Sequence, residues 1–117
     1  MKVKTVGIAG LLVIEPRVFA DSRGYFFESY HQDKYSQLGI DCCFIQDNES
    51  MSSYGVIRGL HYQAPPYTQA KLVRVISGRV LDVAVDIRVG SPTYGQNYAV
   101  ELSGDNKLQF YIPRGFA

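Results

Sequence analysis

The stretch Lys71–Arg88, KLVRVISGRVLDVAVDIR, carries the clearest period in the chain. Within it Leu81, Val83, Val85 and Ile87 alternate with Asp82, Ala84 and Asp86. A period of two is the mark of a β-strand with two unlike faces, and the apolar face is the one expected to be buried. Ser77-Gly78 interrupts the run where a tight hairpin turn would, so Lys71–Ile76 and Arg79–Arg88 read as two antiparallel arms. A pairing centred on that turn sets opposite one another residues whose numbers sum to about 155. Lys71 then falls near Ala84, with Asp82 on its diagonal.

The same pattern of short strands extends in both directions. Leu11–Glu15 (ended by Pro16), Arg17–Phe19, the aromatic run Tyr25–Tyr30, Cys43–Gln46 and Val56–Gln63 read as strands before it, and Tyr98–Leu102 and Leu108–Ile112 after it. Asp21-Ser22-Arg23-Gly24 has turn chemistry, because Asp and Ser bond back to nearby amides and Gly accepts positive φ. His31–Leu38, HQDKYSQL, is the one helical stretch, closed by Gly39 where a left-handed cap is favoured. Many short strands, turns between them and one small helix predict an all-β jelly roll or sandwich. At 117 residues the chain is long enough to bury one core and reads as a single domain.

Net charge is +1, so no overall field recruits nucleic acid or an anionic membrane, and an anionic ligand must be met by local cations. No apolar run reaches the roughly 20 residues of a membrane span. The N-terminal MKVKTVGIAGLLVIEPR lacks the small-residue cleavage site of a signal peptide, so cytoplasm is the expected compartment. Cys42 and Cys43, adjacent in an extended segment, point to opposite faces and read as reduced.

Chemistry concentrates in RGLHYQ, Arg58–Gln63. By strict alternation His61 and Gln63 share a face with Gly59, while Arg58 lies on the other with Leu60 and Tyr62. For Arg58 and His61 to serve one site, the strand must bulge at Gly59. Each candidate also has a plainer reading. A single strand histidine is more often structural than catalytic, and Lys71 with Asp82 is equally a weak surface ion pair. Arg23, Arg58, Lys71, Arg74 and Arg88 are cations that could meet phosphate or simply be solvated. Gln46 and Asn48 could read the amide edge of a pyrimidine base or cap a turn. Phosphate-binding Walker loops, GxGxxG elements and hydrolase elbows are absent from the sequence. One strand histidine without a second or a clustered carboxylate is too small a ligand set for a metal.

Six blocks change the weight of these residues. DSRGYFFESY (Asp21–Tyr30), QDNES (Gln46–Ser50), VIRGLHYQ (Val56–Gln63), KLVRVISGRVLDVAVDIR (Lys71–Arg88), SPTYG (Ser91–Gly95) and NKLQFYIPRGFA (Asn106–Ala117) together closely resemble the dTDP-4-dehydrorhamnose 3,5-epimerase family, in order and over nearly the whole chain. The resemblance implies a cupin-type jelly roll that needs neither metal nor other cofactor. It implies a homodimer acting on a dTDP-linked 4-keto-6-deoxy sugar, dTDP-4-dehydro-6-deoxy-D-glucose, with inversion at C3 and C5. Such chemistry needs a base, a stabiliser for the enolate and an acid on the opposite face.

At the matching positions the resemblance implies that His61 is the base, that Lys71 meets the developing oxyanion and that Asp82 is its carboxylate partner. Arg58 is the implied substrate-binding arginine, Gln46 and Asn48 the implied amide residues of the nucleotide pocket, and Asp47 between them a further substrate-binding residue. Arg23 and Glu28 are implied to reach from one subunit into the nucleotide site of the other, and Phe26 is the aromatic that can support a flat base. The family pattern continues past IPRGFA with a histidine, an acid tyrosine and an aspartate that pairs with the catalytic histidine. The sequence ends at Ala117, so the jelly roll is expected to be C-terminally incomplete and to hold the base without its acid. The competing readings are a single-carbon dTDP-sugar epimerase, a non-catalytic sugar-nucleotide-binding cupin and a metal-dependent cupin.

Overall fold

A computed structural model describes residues 1–117. Along the chain come β1 (Lys2–Thr5), β2 (Leu12–Glu15), β3 (Val18–Asp21), β4 (Gly24–Phe27), α1 (Gln32–Gln37), β5 (Lys71–Arg74), β6 (Arg79–Val85), β7 (Asn97–Ser103) and β8 (Gln109–Ile112). All pairing is antiparallel: a four-stranded sheet in the order β1-β2-β8-β5, a β3–β4 ribbon and a β6–β7 pair.

Strand β8 is the centre of the molecule. Strands β2 and β5 flank it, and every one of its residues is buried. Alternation divides them between two cores. Phe110 and Ile112 join Ile8, Leu11, Val13, Ala84, Leu102 and Phe116, the core between this sheet and β6–β7. Tyr111 joins Ile14, Tyr35 and Ile40 on the opposite face, beneath α1. Full burial of each such large apolar side chain contributes about 1.5–3 kcal/mol, so these two cores hold the layers together.

Helix α1 forms as its sequence predicts. His31 is extended at the N-cap and its Nδ1 accepts the Lys34 amide at 3.4 Å, Asp33 lies in the first turn, and Gly39 takes φ 96° just past the end. Strands β2, β7 and β8 also lie where the sequence puts them. The Asp21–Gly24 turn joins β3 to β4, with the Arg23 amide bonded to Asp21 Oδ1 at 2.8 Å. The aromatic strand is shorter than expected and stops at Phe27.

Three expectations are corrected. Ser77-Gly78 is not a hairpin turn: β5 pairs with β8 and β6 pairs with β7, so the chain crosses there from one sheet to the other. Local turn chemistry yields because beside β8 Leu72 and Val73 each pack against one of the two cores, which a lone hairpin could not supply. In β6 the alternation holds but the sides are exchanged. Ala84 and Asp86 are buried and Asp82 half-buried, whereas Leu81 is 69% exposed. Small Ala84 lets the layers approach, and the two inward carboxylates face partners of their own.

The third correction concerns Cys43–Gln46 and Val56–Gln63, which are not strands. Asp41–Ala70 contains neither helix nor strand, and every residue from Ile45 to Tyr67 is exposed. Without a ladder there is no bulge at Gly59, which instead adopts φ 111°. The segment is rich in β-formers, but strand propensity is realised only against a neighbouring edge, and this fold offers it none. Its projection lengthens the molecule: the radius of gyration is 14.9 Å, against about 13 Å for a compact chain of this size. No helix is long and apolar enough to cross a membrane.

Candidate functional site

Lys71 and Asp82 come to face one another by a route different from the predicted hairpin. Lys71 pairs with Ile112, so its side shares the face of Val73 and Phe110 that looks toward β6–β7. Asp82 shares the inward face of Ala84. The two residues therefore look at one another across the space between two sheets. Burial pushes the Asp82 carboxyl above its ordinary range, and the charge of Lys71 and the Val83 amide pull it part of the way back. A cation that faces a half-buried carboxylate across two sheets is suited to meeting negative charge that appears on a bound oxygen.

Arg23 and Phe26 stand on the β3–β4 ribbon and line one open concavity of about 350 Å³ with Phe19, Asp21 and Tyr25. Arg23 is held by Asp21, Nη2 to Oδ2 at 2.6 Å, and the guanidinium correspondingly lowers the Asp21 carboxyl. Phe26 is 70% exposed and offers a flat apolar surface. Glu28, just beyond the ribbon, is bound to Lys34 at 2.8 Å, and that bond lowers its carboxyl.

The remaining candidates lie on the projecting segment. Gln46 donates from Nε2 to Asn48 Oδ1 at 3.2 Å, so these two amides are brought together. Asp47 between them is exposed and makes no side-chain bond to any other candidate. Arg58 turns back on its own loop, donating to Ser52 Oγ at 2.9 Å and to the Met51 carbonyl at 3.3 Å. His61 is exposed, with its Nδ1 beside Gly59. The fold thus sets Lys71 opposite Asp82, Arg23 beside Phe26 and Gln46 against Asn48, and no hydrogen bond joins His61 or Arg58 to any of these pairs.

The family model for dTDP-4-dehydrorhamnose 3,5-epimerase matches residues 5–117. The chain belongs to the dTDP-4-dehydrorhamnose 3,5-epimerase family. Among curated relatives, the dTDP-4-dehydrorhamnose 3,5-epimerase of Shigella flexneri is 52% identical over 118 residues, covering 100% of this chain and 65% of the relative. A crystal structure of dTDP-6-deoxy-D-glucose-3,5-epimerase from Legionella pneumophila in complex with dTDP-4-keto-L-rhamnose is 54% identical with a TM-score of 0.95, over 99% of this chain and 62% of that one. The dTDP-4-dehydrorhamnose 3,5-epimerase of Bacillus anthracis with TDP and PPi bound is 44% identical with a TM-score of 0.95, over 99% and 67%. The chain spans about 65% of the length of the Shigella flexneri relative. Its sheets are accordingly those of the cupin-type jelly roll of dTDP-4-dehydrorhamnose 3,5-epimerases.

Two buried polar groups of this epimerase-family chain were not singled out by the sequence reading. Asp86 is fully buried, binds Arg88 through two bonds of 3.0 Å and accepts from Ser91 Oγ at 2.6 Å and from Thr93 Oγ1. Arg88 is therefore committed inside the fold and is not a free phosphate ligand. The Asp-x-Arg spacing ahead of Ser-Pro-Thr was the available signal for this cluster. Gln109 is also fully buried, and its amide bonds run to Tyr35 and Ser29, over 70 residues away in sequence. No local pattern announces that pairing.

Proposed function

We propose that the protein epimerises dTDP-4-dehydro-6-deoxy-D-glucose at C3 and C5 to dTDP-4-dehydro-L-rhamnose by removing and returning protons beside the C4 ketone. The observation that carries this reading is the 54% identity and TM-score of 0.95 to the Legionella pneumophila epimerase holding dTDP-4-keto-L-rhamnose. The opposition of Lys71 and Asp82 across the two sheets supports it chemically.

A C–H beside a ketone is acidic only because the carbanion spreads onto oxygen, so the cost falls on the forming enolate. His61 takes the proton as an imidazole base. Lys71 lies beside the C4 oxygen, and its ammonium stabilises the forming enolate electrostatically. Asp82 faces that lysine across the sheets and offers it a carboxylate partner. Arg58 releases Ser52 and Met51 to hold the substrate, since a guanidinium prefers an anion to neutral acceptors. A solvent-derived proton delivered to the opposite face inverts the carbon, and His61 passes the proton it took to solvent.

A second copy of the chain belongs to this reading. Ile45, Ile57, Leu60 and Tyr62 are all more than 60% exposed on a segment without a partner strand, which favours a homodimer that covers it. In that dimer Arg23 and Glu28 serve the neighbouring subunit's nucleotide, Phe26 supports the base, and Gln46, Asp47 and Asn48 line its pocket. A doubly charged substrate that does not cross a bilayer is consistent with a cytoplasmic site of action.

The test is proton exchange. Incubation with dTDP-4-dehydro-6-deoxy-D-glucose in deuterated water should place deuterium at both C3 and C5, read by NMR. Label at one carbon alone would make the protein a single-carbon epimerase. Label at neither, with dTDP still bound, would make it a binding module. His61→Asn should abolish exchange and leave the dTDP Kd within about threefold; equal loss of both would assign His61 a structural role.

A further inference from the structure

Residues 28–31 leave the β3–β4 ribbon and enter α1, and each is tied to a different part of the molecule. Glu28 binds Lys34 at 2.8 Å. The Ser29 carbonyl is approached by two side-chain donors, Gln109 Nε2 at 2.8 Å and the Tyr35 hydroxyl at 3.0 Å. The Tyr30 ring meets Tyr35 edge-on at 5.0 Å and Phe44 at 5.5 Å. His31 caps the helix.

The middle of this junction is a closed polar knot. Tyr35 also lies 2.7 Å from Gln109 Oε1. A phenol has one hydrogen for two acceptors, and the nearer one takes it. Gln109 then receives on oxygen and donates from nitrogen to Ser29, which fixes its amide orientation, because the flipped amide would set two acceptors face to face. Burial raises the Tyr35 hydroxyl above its ordinary pKa, so it remains a donor.

Packing alone does not call for an amide at position 109. A methionine or leucine would fill the same space in the core beneath α1 without desolvating polar atoms. What a fully satisfied buried network adds is direction: it accepts one position of its partners and penalises others. Its partner here is the carbonyl from which the ribbon bearing Arg23 and Phe26 departs. Through Tyr30 and Phe44 the same junction holds the start of the segment that carries Gln46 and Asn48. Further up the ribbon, Lys107 lies 4.0 Å over the Tyr25 ring, a second hold on the same arm from the β7–β8 turn.

We infer that Gln109 and Tyr35 are positioning residues for nucleotide binding: their knot on the Ser29 carbonyl aims the β3–β4 ribbon so that Arg23 and Phe26 reach the nucleoside diphosphate. This rests on the proposed function for the ligand, and on the geometry above for the aim.

The knot has built-in redundancy that makes it testable. In Tyr35→Phe the Gln109–Ser29 bond persists. In Gln109→Met the Tyr35 hydroxyl is free to turn to Ser29. Only Tyr35→Phe/Gln109→Met releases the carbonyl. Each single variant should raise the dTDP Kd by less than about threefold and the double variant by about tenfold, a non-additive cycle. Hydrogen exchange in the double variant should rise in residues 18–30 and stay unchanged in β2, β5 and β8. An unchanged Kd in the double variant, or a rise in exchange spread over the whole sheet, overturns the inference. If the unaltered protein binds no dTDP, the epimerase reading fails instead, and unchanged exchange in residues 18–30 would still refute the aim.

Discussion

Arg88 closes on Asp86 with two parallel bonds, Nε to Oδ1 and Nη2 to Oδ2, each 3.0 Å, while its guanidinium lies 4.8 Å over the Phe116 ring. Asp86 has no exposed surface, and the Arg88 amide, Ser91 and Thr93 supply its other donors. Removing the cation leaves a buried carboxylate short of its main partner, so Arg88→Met should cost about 3–5 kcal/mol in chemical denaturation. The loss should include the Gly115–Ala117 end, which bonds to Val85 and Ile87 beside the pair.

The same pair sets an acid limit. Arg88 holds the Asp86 carboxyl well below the usual carboxylate range, against the opposing effect of burial. A lowered folded pKa gives stability that is fully present above the unfolded value of about 4 and is lost as pH falls toward the folded one. The melting temperature should therefore drop steeply below about pH 4. In Arg88→Met that drop should be shallower, since the differential has largely gone. Equal slopes in the two proteins would remove Asp86 from the account of acid sensitivity.

Asp82 has the opposite sign. Its folded pKa is raised by burial, with Lys71 offsetting part of the rise, so its ionised form costs stability at neutral pH and the cost fades as pH falls through the folded pKa. Asp82→Asn should stabilise the fold at pH 7 by on the order of 1 kcal/mol and give nothing at pH 3. Lys71→Met should do the reverse at pH 7. If Asp82→Asn destabilises at pH 7, the carboxylate is held by contacts stronger than its desolvation.

These two aspartates show what the sequence could and could not convey. Alternation through Leu81–Ile87 identified the strand, yet hydrophobicity alone assigned the wrong side to the core. The decision was made by polar partners: Lys71 across the sheets for Asp82, and the nearby Arg88, Ser91 and Thr93 for Asp86. The His31–Gly39 helix and the Asp21–Gly24 turn were legible because caps and turns are local chemistry. The Ser77-Gly78 crossing and the knot of Tyr35, Gln109 and Ser29 were not, because each depends on a strand placed by non-local pairing. In RGLHYQ the residue types were right for a strand, but no edge within this fold completes it.

Gly104 sits where the β7–β8 turn presses on that crossing. Its φ is not left-handed, so the requirement is one of space: a Cβ there would meet the Ile76 carbonyl oxygen at 2.6 Å and its carbon at 3.2 Å. Backbone cannot swing aside as a side chain can. Gly104→Ala should destabilise by about 1–3 kcal/mol and weaken the bond from the Gly104 amide to the Gly78 carbonyl, now 3.0 Å. Gly78→Ala, at φ 79° with open space around it, should cost about 1 kcal/mol through backbone strain alone. Unfolding curves that rank the two in the other order would show that the turn yields to the added methyl.

Arg23 separates binding from folding most cleanly. Its partner Asp21 is on its own turn, both side chains are exposed, and the Asp21 side chain also accepts the Arg23 amide at 2.8 Å. Arg23→Ala keeps that amide bond, so the melting temperature should not move, while the dTDP Kd should rise about tenfold through loss of a charge-assisted contact to phosphate. Asp21→Asn also keeps a side-chain oxygen for the turn but frees the guanidinium from its competitor, so affinity should hold or tighten. A fall in affinity for Asp21→Asn equal to that for Arg23→Ala would mean that the ion pair itself shapes the turn. Arg23 would then act through the ribbon rather than on the ligand.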